Sequence, residues 1–267
     1  MEATICYYNL PADLLDCLCA CYEWIAGHLF QVEYALEAVN KGNTAAAVRG
    51  QSSSVLAVEK KSTVQLQETQ SIRKILQLDE HLALAAAGLT ADARVLVNRA
   101  RVECQSYKLT MGEPIHVDSI TRWIAGLQQK YTQSGGVRPF GISTLVVGTD
   151  PMEGSPKLFQ TDPSGSSAEW KANAIGRNSS SVREWLEKNY EPTDGEDTIR
   201  LTAKALLEVV EADSRNIEMA VMDKDGMHPL SETRVDTLVK EIEAQKQEET
   251  NRRRRPQQQQ ESEPQAS

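Results

Sequence analysis

The sequence predicts an α+β fold, a four-layer αββα sandwich in which two stacked sheets lie between outer helices, on three observations. Strand signals come in clusters, helical stripes come mostly in pairs, and the pairs separate the clusters. The resulting order is helix, four strands, two helices, three or four strands, two helices, strand, helix. A doubly wound α/β chain would alternate single strands with single helices instead. With 267 residues, 40% of them hydrophobic, the chain can bury a sizeable core without staples.

The first helix is predicted over residues 29–40, where Leu29, Val32, Leu36 and Val39 form one stripe and Phe30, Tyr34 and Ala38 a second. A helix apolar on two sides needs two packing partners, both in its own core or one in a neighbouring subunit. Gly42 is expected to end it in the left-handed C′ conformation. Strands follow at 44–49, 55–59, 72–78 and 82–87, punctuated by glycines and polar residues. At Gly88 the period changes, with Thr90 as the expected N-cap and Asp92 in the first turn. Ala93, Leu96, Val97, Ala100, Cys104 and Tyr107 keep helical spacing, which puts Cys104 on a buried stripe as an inert thiol. A second helix carries Ile120, Trp123, Ile124, Leu127 and Tyr131. Strands are predicted at 143–147, 157–161 and 172–175, then helices through Val182, Trp185 and Leu186 and through Ile199, Ala203, Leu206 and Val210. A strand at 217–222 and a helix through Val235, Leu238, Val239 and Ile242 complete the order.

Composition divides the chain into residues 1–26, with no Lys or Arg; a domain over 27–243; and a polar tail over 244–267, expected to be disordered for lack of anything apolar to bury. The four-arginine run from Arg252 to Arg255 reads as a solvated charge block, the sharper alternative being a weak polyanion or nuclear-import patch. The formal net charge of −9 argues against a dedicated nucleic-acid binder. No run of about 18 apolar residues occurs, so no membrane partner is expected. A secretory signal is not predicted either, because Asp13 and Asp16 interrupt the apolar start. Cys6, Cys17, Cys19, Cys21 and Cys104 are odd in number and clustered, unlike a disulfide framework. Their C-x-C-x-C pattern, with only His28 nearby, lacks zinc-site spacing, so no metal or other cofactor is expected.

No nucleophile elbow, P-loop, dinucleotide-binding turn or H-E-x-x-H helix occurs. His28, His81, His116 and His228 have no Cys or carboxylate at ligand spacing. Asp79 with Asp92, or Glu59 with Asp150, could be imagined as acid–base pairs, but nothing in the sequence brings them together.

The segment G-H-L-F-Q-V-E-Y-A-L-E-A-V-N-K-G at 27–42 is followed by A-V-E-K-K at 57–61, G-L-T-A-D-A-R at 88–94, Y-T-Q-S-G-G-V-R-P-F-G at 131–141 and D-P-S-G at 162–165. In this order the motifs closely resemble the α-type subunits of the proteasome core particle, over residues 27 to about 243. The runs at 99–110 and 171–177 resemble one α paralogue in particular. The resemblance implies a sandwich of the N-terminal-nucleophile hydrolase type and a place in a seven-membered α ring stacked on the catalytic β ring. It also implies a role in ring assembly, activator docking and gating in ubiquitin-dependent protein degradation, in cytoplasm and nucleus. Neighbouring α subunits, β-ring subunits and activator C-terminal tails would be the partners.

The related β subunits attack with an N-terminal Thr whose own α-amine is the base. Alignment at Gly42 puts Asn43 in that position and Thr44 one residue later, so no catalytic residue is expected. A free-standing N-terminal-nucleophile hydrolase is the alternative, and Asn43 argues against it. The resemblance gives Lys74, in I-R-K-I at 72–75, the role of receiving an activator's terminal carboxylate, with Glu33, Gly42, Gly88 and Leu89 around it. Family members carry a Tyr-Asp-Arg run and a Ser-Pro-Asp-Gly turn before the first helix, where this chain has Asp16, Cys17 and Leu18, then Trp24, Ile25 and Ala26. Either residues 1–26 come from an alternative first exon or a mistaken start, or they belong to an isoform with an altered pore gate, and a particle carrying this start is expected to have a leaky gate.

Overall fold

The computed structural model describes residues 29–60, 73–210 and 216–260, the last stretch from 247 by its backbone alone. The expectations for residues 1–26, for the four N-terminal cysteines and His28, and for the end of the tail lie outside the described residues.

Helix α1 (Phe30–Asn40) leads into β1 (Ala45–Arg49), β2 (Ser54–Glu59), β3 (Ile75–Asp79) and β4 (Leu82–Gly88). Two helices follow, α2 (Thr90–Met111) and α3 (Val117–Gln133), then β5 (Ile142–Thr149), β6 (Pro156–Thr161), β7 (Ser167–Glu169) and β8 (Ala172–Ile175). Helices α4 (Ser179–Asn189) and α5 (Glu196–Leu206), strands β9 (Ile217–Asp223) and β10 (Gly226–Pro229), and helix α6 (Glu232–Gln260) end the order. The strands form two five-stranded antiparallel sheets, ordered β10-β9-β2-β1-β8 and β3-β4-β5-β6-β7.

Period-two alternation builds the layers, because successive side chains on a strand point to opposite faces. On β1 and β2, Ala45, Ala47, Leu56 and Val58 face the second sheet, while Ala46, Val48, Val55 and Ala57 pack with Val182, Leu186, Ile199 and Ala203 of α4 and α5. On β4 and β5, Ala83, Ala85, Leu145 and Val147 enter the same central layer, while Leu82, Leu84, Ile142 and Val146 meet Leu96, Ala100, Ile120 and Ile124 of α2 and α3. The central strands β1, β2, β4 and β5 are therefore covered on both faces, and they read as continuous apolar runs rather than as apolar–polar alternation. The predicted αββα sandwich is the observed architecture.

Several local expectations are corrected. Gly42 is not left-handed; Lys41 caps α1 in ordinary right-handed conformation (φ −89°, ψ −9°). Glycine stands at 42 because a Cβ there would lie 2.4 Å from the backbone nitrogen of Gly88. Thr90 is the first residue of α2 rather than its cap, and Leu89 at the cap position has no side-chain bond to offer. β7 and β10 escaped prediction because one is three exposed residues and the other contains Gly226 and Pro229, both poor strand formers. On α1, the buried residues are Ala35 and Val39, whereas Leu29, Phe30, Tyr34 and Leu36 are exposed. The backbone of α6 stays helical to Gln260, past residue 243, where the sequence reading begins its tail. Cys104 is fully buried as expected, and burial pushes its thiol pKa up to about 12.

Candidate functional site

The turn between α1 and β1 brings Gly42, Asn43 and Thr44 to the end of the sandwich. The amide nitrogen of Asn43 donates to the Glu59 carbonyl at 3.1 Å, and the backbone N–H of Thr44 donates to Glu59 Oε2 at 3.2 Å. The Thr44 hydroxyl is buried without a hydrogen-bond partner among the described residues. Gly42 in turn accepts the Arg177 N–H at 3.1 Å. The nitrogen beside this hydroxyl is thus a bonded peptide amide.

The imagined carboxylate pairs are engaged elsewhere. Asp150 accepts from Lys157 Nζ at 2.9 Å and lies 3.0 Å from His116 Nδ1; burial opposes its ionisation, but these hydrogen bonds outweigh it and hold the pKa at about 2. Asp92 accepts two bonds from the Arg138 guanidinium, both at 2.7 Å, and the Gly141 N–H at 3.1 Å. The Arg138 hydrogen bonds hold its carboxyl below the usual carboxylate range. No group of three or more metal-ligating side chains occurs among the described residues.

Beside the Gly42 turn opens a cleft of about 180 Å³ whose lining includes Lys41, Gly42, Arg73, Lys74, Gly88 and Leu89. Four of the five residues expected around it therefore come together. Glu33 does not line it and sits exposed in the first turn of α1. Lys41 and Arg73 are additions that sequence reasoning missed, although each is the direct neighbour of a named residue, Gly42 or Lys74.

The chain fixes this cleft from several sides. Lys74 precedes β3, and its backbone N–H donates to Glu218 Oε2 at 2.9 Å, leaving its half-buried side chain to line the cleft. Gly88 has φ +119°, and a Cβ there would lie 2.1 Å from the Gly141 carbonyl oxygen, so only glycine lets β4 and that loop approach. The Leu89 N–H donates to the same oxygen at 3.0 Å. The Asp92–Arg138 pair then ties the first turn of α2 to the loop before β5. Two segments that carry the resemblance, 88–94 and 131–141, are in this way one structural unit at the rim.

The two sheets between helix layers and the α1–β1 junction at Gly42 define an α+β sandwich of the N-terminal-nucleophile hydrolase type, and the chain belongs to the proteasome subunit family, whose profile matches residues 39–222. It is 66% identical over 221 residues to the proteasome subunit alpha type-7 of Cicer arietinum, covering 82% of this chain and 89% of that one. Against alpha type-7-B of Arabidopsis thaliana the identity is 63% over 222 residues, with the same coverage, 82% and 89%. With alpha type-7 of Dictyostelium discoideum it is 57% over 222 residues, covering 83% and 88%. Within the family, the chain is an α-type subunit.

Proposed function

We propose that this chain is a non-catalytic member of the proteasome α ring, serving ring assembly, activator docking and the gating of substrate admission in ubiquitin-dependent protein degradation, in cytoplasm and nucleus. Its partners are neighbouring α subunits, β-ring subunits and the C-terminal tails of activators. The lack of catalysis rests on Asn43, whose side-chain amide is no nucleophile, and on Thr44, whose nitrogen is a peptide amide and cannot act as a base.

The observation that carries the docking role is the cleft at Lys74. An ammonium is a compact point charge suited to a terminal carboxylate, and Lys74 has no ion-pair partner among the described residues. Gly42 and Gly88 line the same cleft, and their lack of a Cβ is what lets the turn after α1 and the end of β4 come together beside Lys74. Glu33 lies outside the lining, exposed in the first turn of α1.

In assembled particles whose other such clefts are disabled, Lys74→Ala is expected to weaken activator binding by about 1.5–3 kcal/mol, the value of a charge-assisted hydrogen bond, while the ring forms normally. Unchanged affinity in a binding titration would overturn the docking role.

A further inference from the structure

We propose that the cleft at Lys74 selects a doubly anionic chain end, its terminal carboxylate against Lys74 and an acidic side chain from one of its last two residues against Arg73. This rests on the docking role just described. The lining holds three cations, Lys41, Arg73 and Lys74, and no carboxylate. Lys41 is matched from outside by Glu37 at 2.8 Å, one turn back on α1. Glu218 is also near, but its Oε2 takes the backbone N–H of Lys74, and no ion pair joins it to the Lys74 ammonium. Arg73 is exposed and likewise has no ion-pair partner among the described residues.

Among the described residues two positive charges in the lining are therefore unmatched, and a chain end with a neutral final pair of residues supplies one negative charge. Lys74 is half-buried and Arg73 exposed, so the two stand at different depths. Consecutive residues of an extended peptide are spaced by about 3.3 Å, which lets a carboxylate at the tip and a second one within two residues occupy those depths together. Guanidinium suits the outer position, since its fork donates two parallel bonds to a side-chain carboxylate.

The test uses assembled particles carrying the full chain and three fluorescent peptides of one sequence: one with Glu next to a free C-terminus, one with Gln in its place, and one with Glu but a C-terminal amide. At low salt the Glu peptide is expected to bind about three- to fivefold tighter than the Gln peptide, the range of an exposed ion pair, with the difference fading as salt is added. In particles carrying Arg73→Gln that preference should vanish, while the loss caused by amide capping remains. Equal binding of the Glu and Gln peptides, or a preference that survives Arg73→Gln, overturns the dianion selectivity and leaves the docking role standing. If amide capping has no effect, or none of the peptides binds, the docking role itself fails and this inference with it.

Discussion

At Asp92 a carboxylate only 7% exposed stays ionised because Arg138 and the Gly141 N–H hold it. Arg138→Ala should cost about 1.5–3 kcal/mol, toward the lower end because the guanidinium faces solvent, and should loosen the Leu89 rim of the cleft. Thermal melts would check the first and peptide affinity the second; a variant of unchanged stability would mean that the pair contributes nothing. The acid limb follows from the same chemistry. The folded-state pKa values of Asp92 and Asp150 lie below the ordinary value of about 3.9, so the stability they add is complete above that value. It is lost as pH falls through the folded values, for Asp150 down to about 2. At this scale Lys74 was legible only through the resemblance. Arg73 and Lys41 were not legible, because nothing in a sequence says that a charge beside a named residue shares its cleft.

Helix α1 shows what periodicity can and cannot tell. Its two apolar stripes were plain, yet the face against the sandwich runs through Val39, at the edge of the first stripe, and Ala35, which belongs to neither, and of α1 only Val39 joins the buried layer between the sheets. Spacing gives the angle of a stripe, but small residues such as Ala35 decide how close a helix can come. Phe30 is 41% exposed and Tyr34 62%, so full burial in one core is excluded for the chain by itself. Phe30→Ala should then cost the isolated chain about 1–2 kcal/mol rather than the roughly 3–5 of a fully buried ring. If Phe30 meets a neighbouring subunit, the same substitution should also lower incorporation into the ring, measured by native mass spectrometry. Incorporation equal to the unsubstituted chain would remove Phe30 from the ring contact. The α2 start illustrates a different failure: Thr90 looks like a cap, but the carbonyl of Gly141 fixes Leu89 at that position instead.

Over the whole molecule, the order of elements carried the architecture, since clustered strands and paired helices leave few ways to cover two sheets. Which strands share a sheet was not legible, because β1 pairs with β8 far along the chain, Ala45 opposite Ile175 and Val48 opposite Ala172, and no local signal marks such a partner. The central layer is rich in alanine, with Ala45, Ala47, Ala83, Ala85 and Ala87 all buried between the sheets. Ala85→Leu should force the sheets apart and cost about 1–3 kcal/mol or more, whereas an exposed site such as Leu109 should tolerate polar replacement. Equal denaturation midpoints for Ala85→Leu and the unsubstituted chain would show a looser layer than this one.

The central claim, a non-catalytic subunit of the α ring, is tested most directly by native mass spectrometry of core particles assembled with this chain, followed by release of the subunits. The chain is expected in the particle and should be released uncut, still carrying the residues before Asn43. A chain left out of the particle, or one released with its new N-terminus at Asn43 or Thr44, would contradict it.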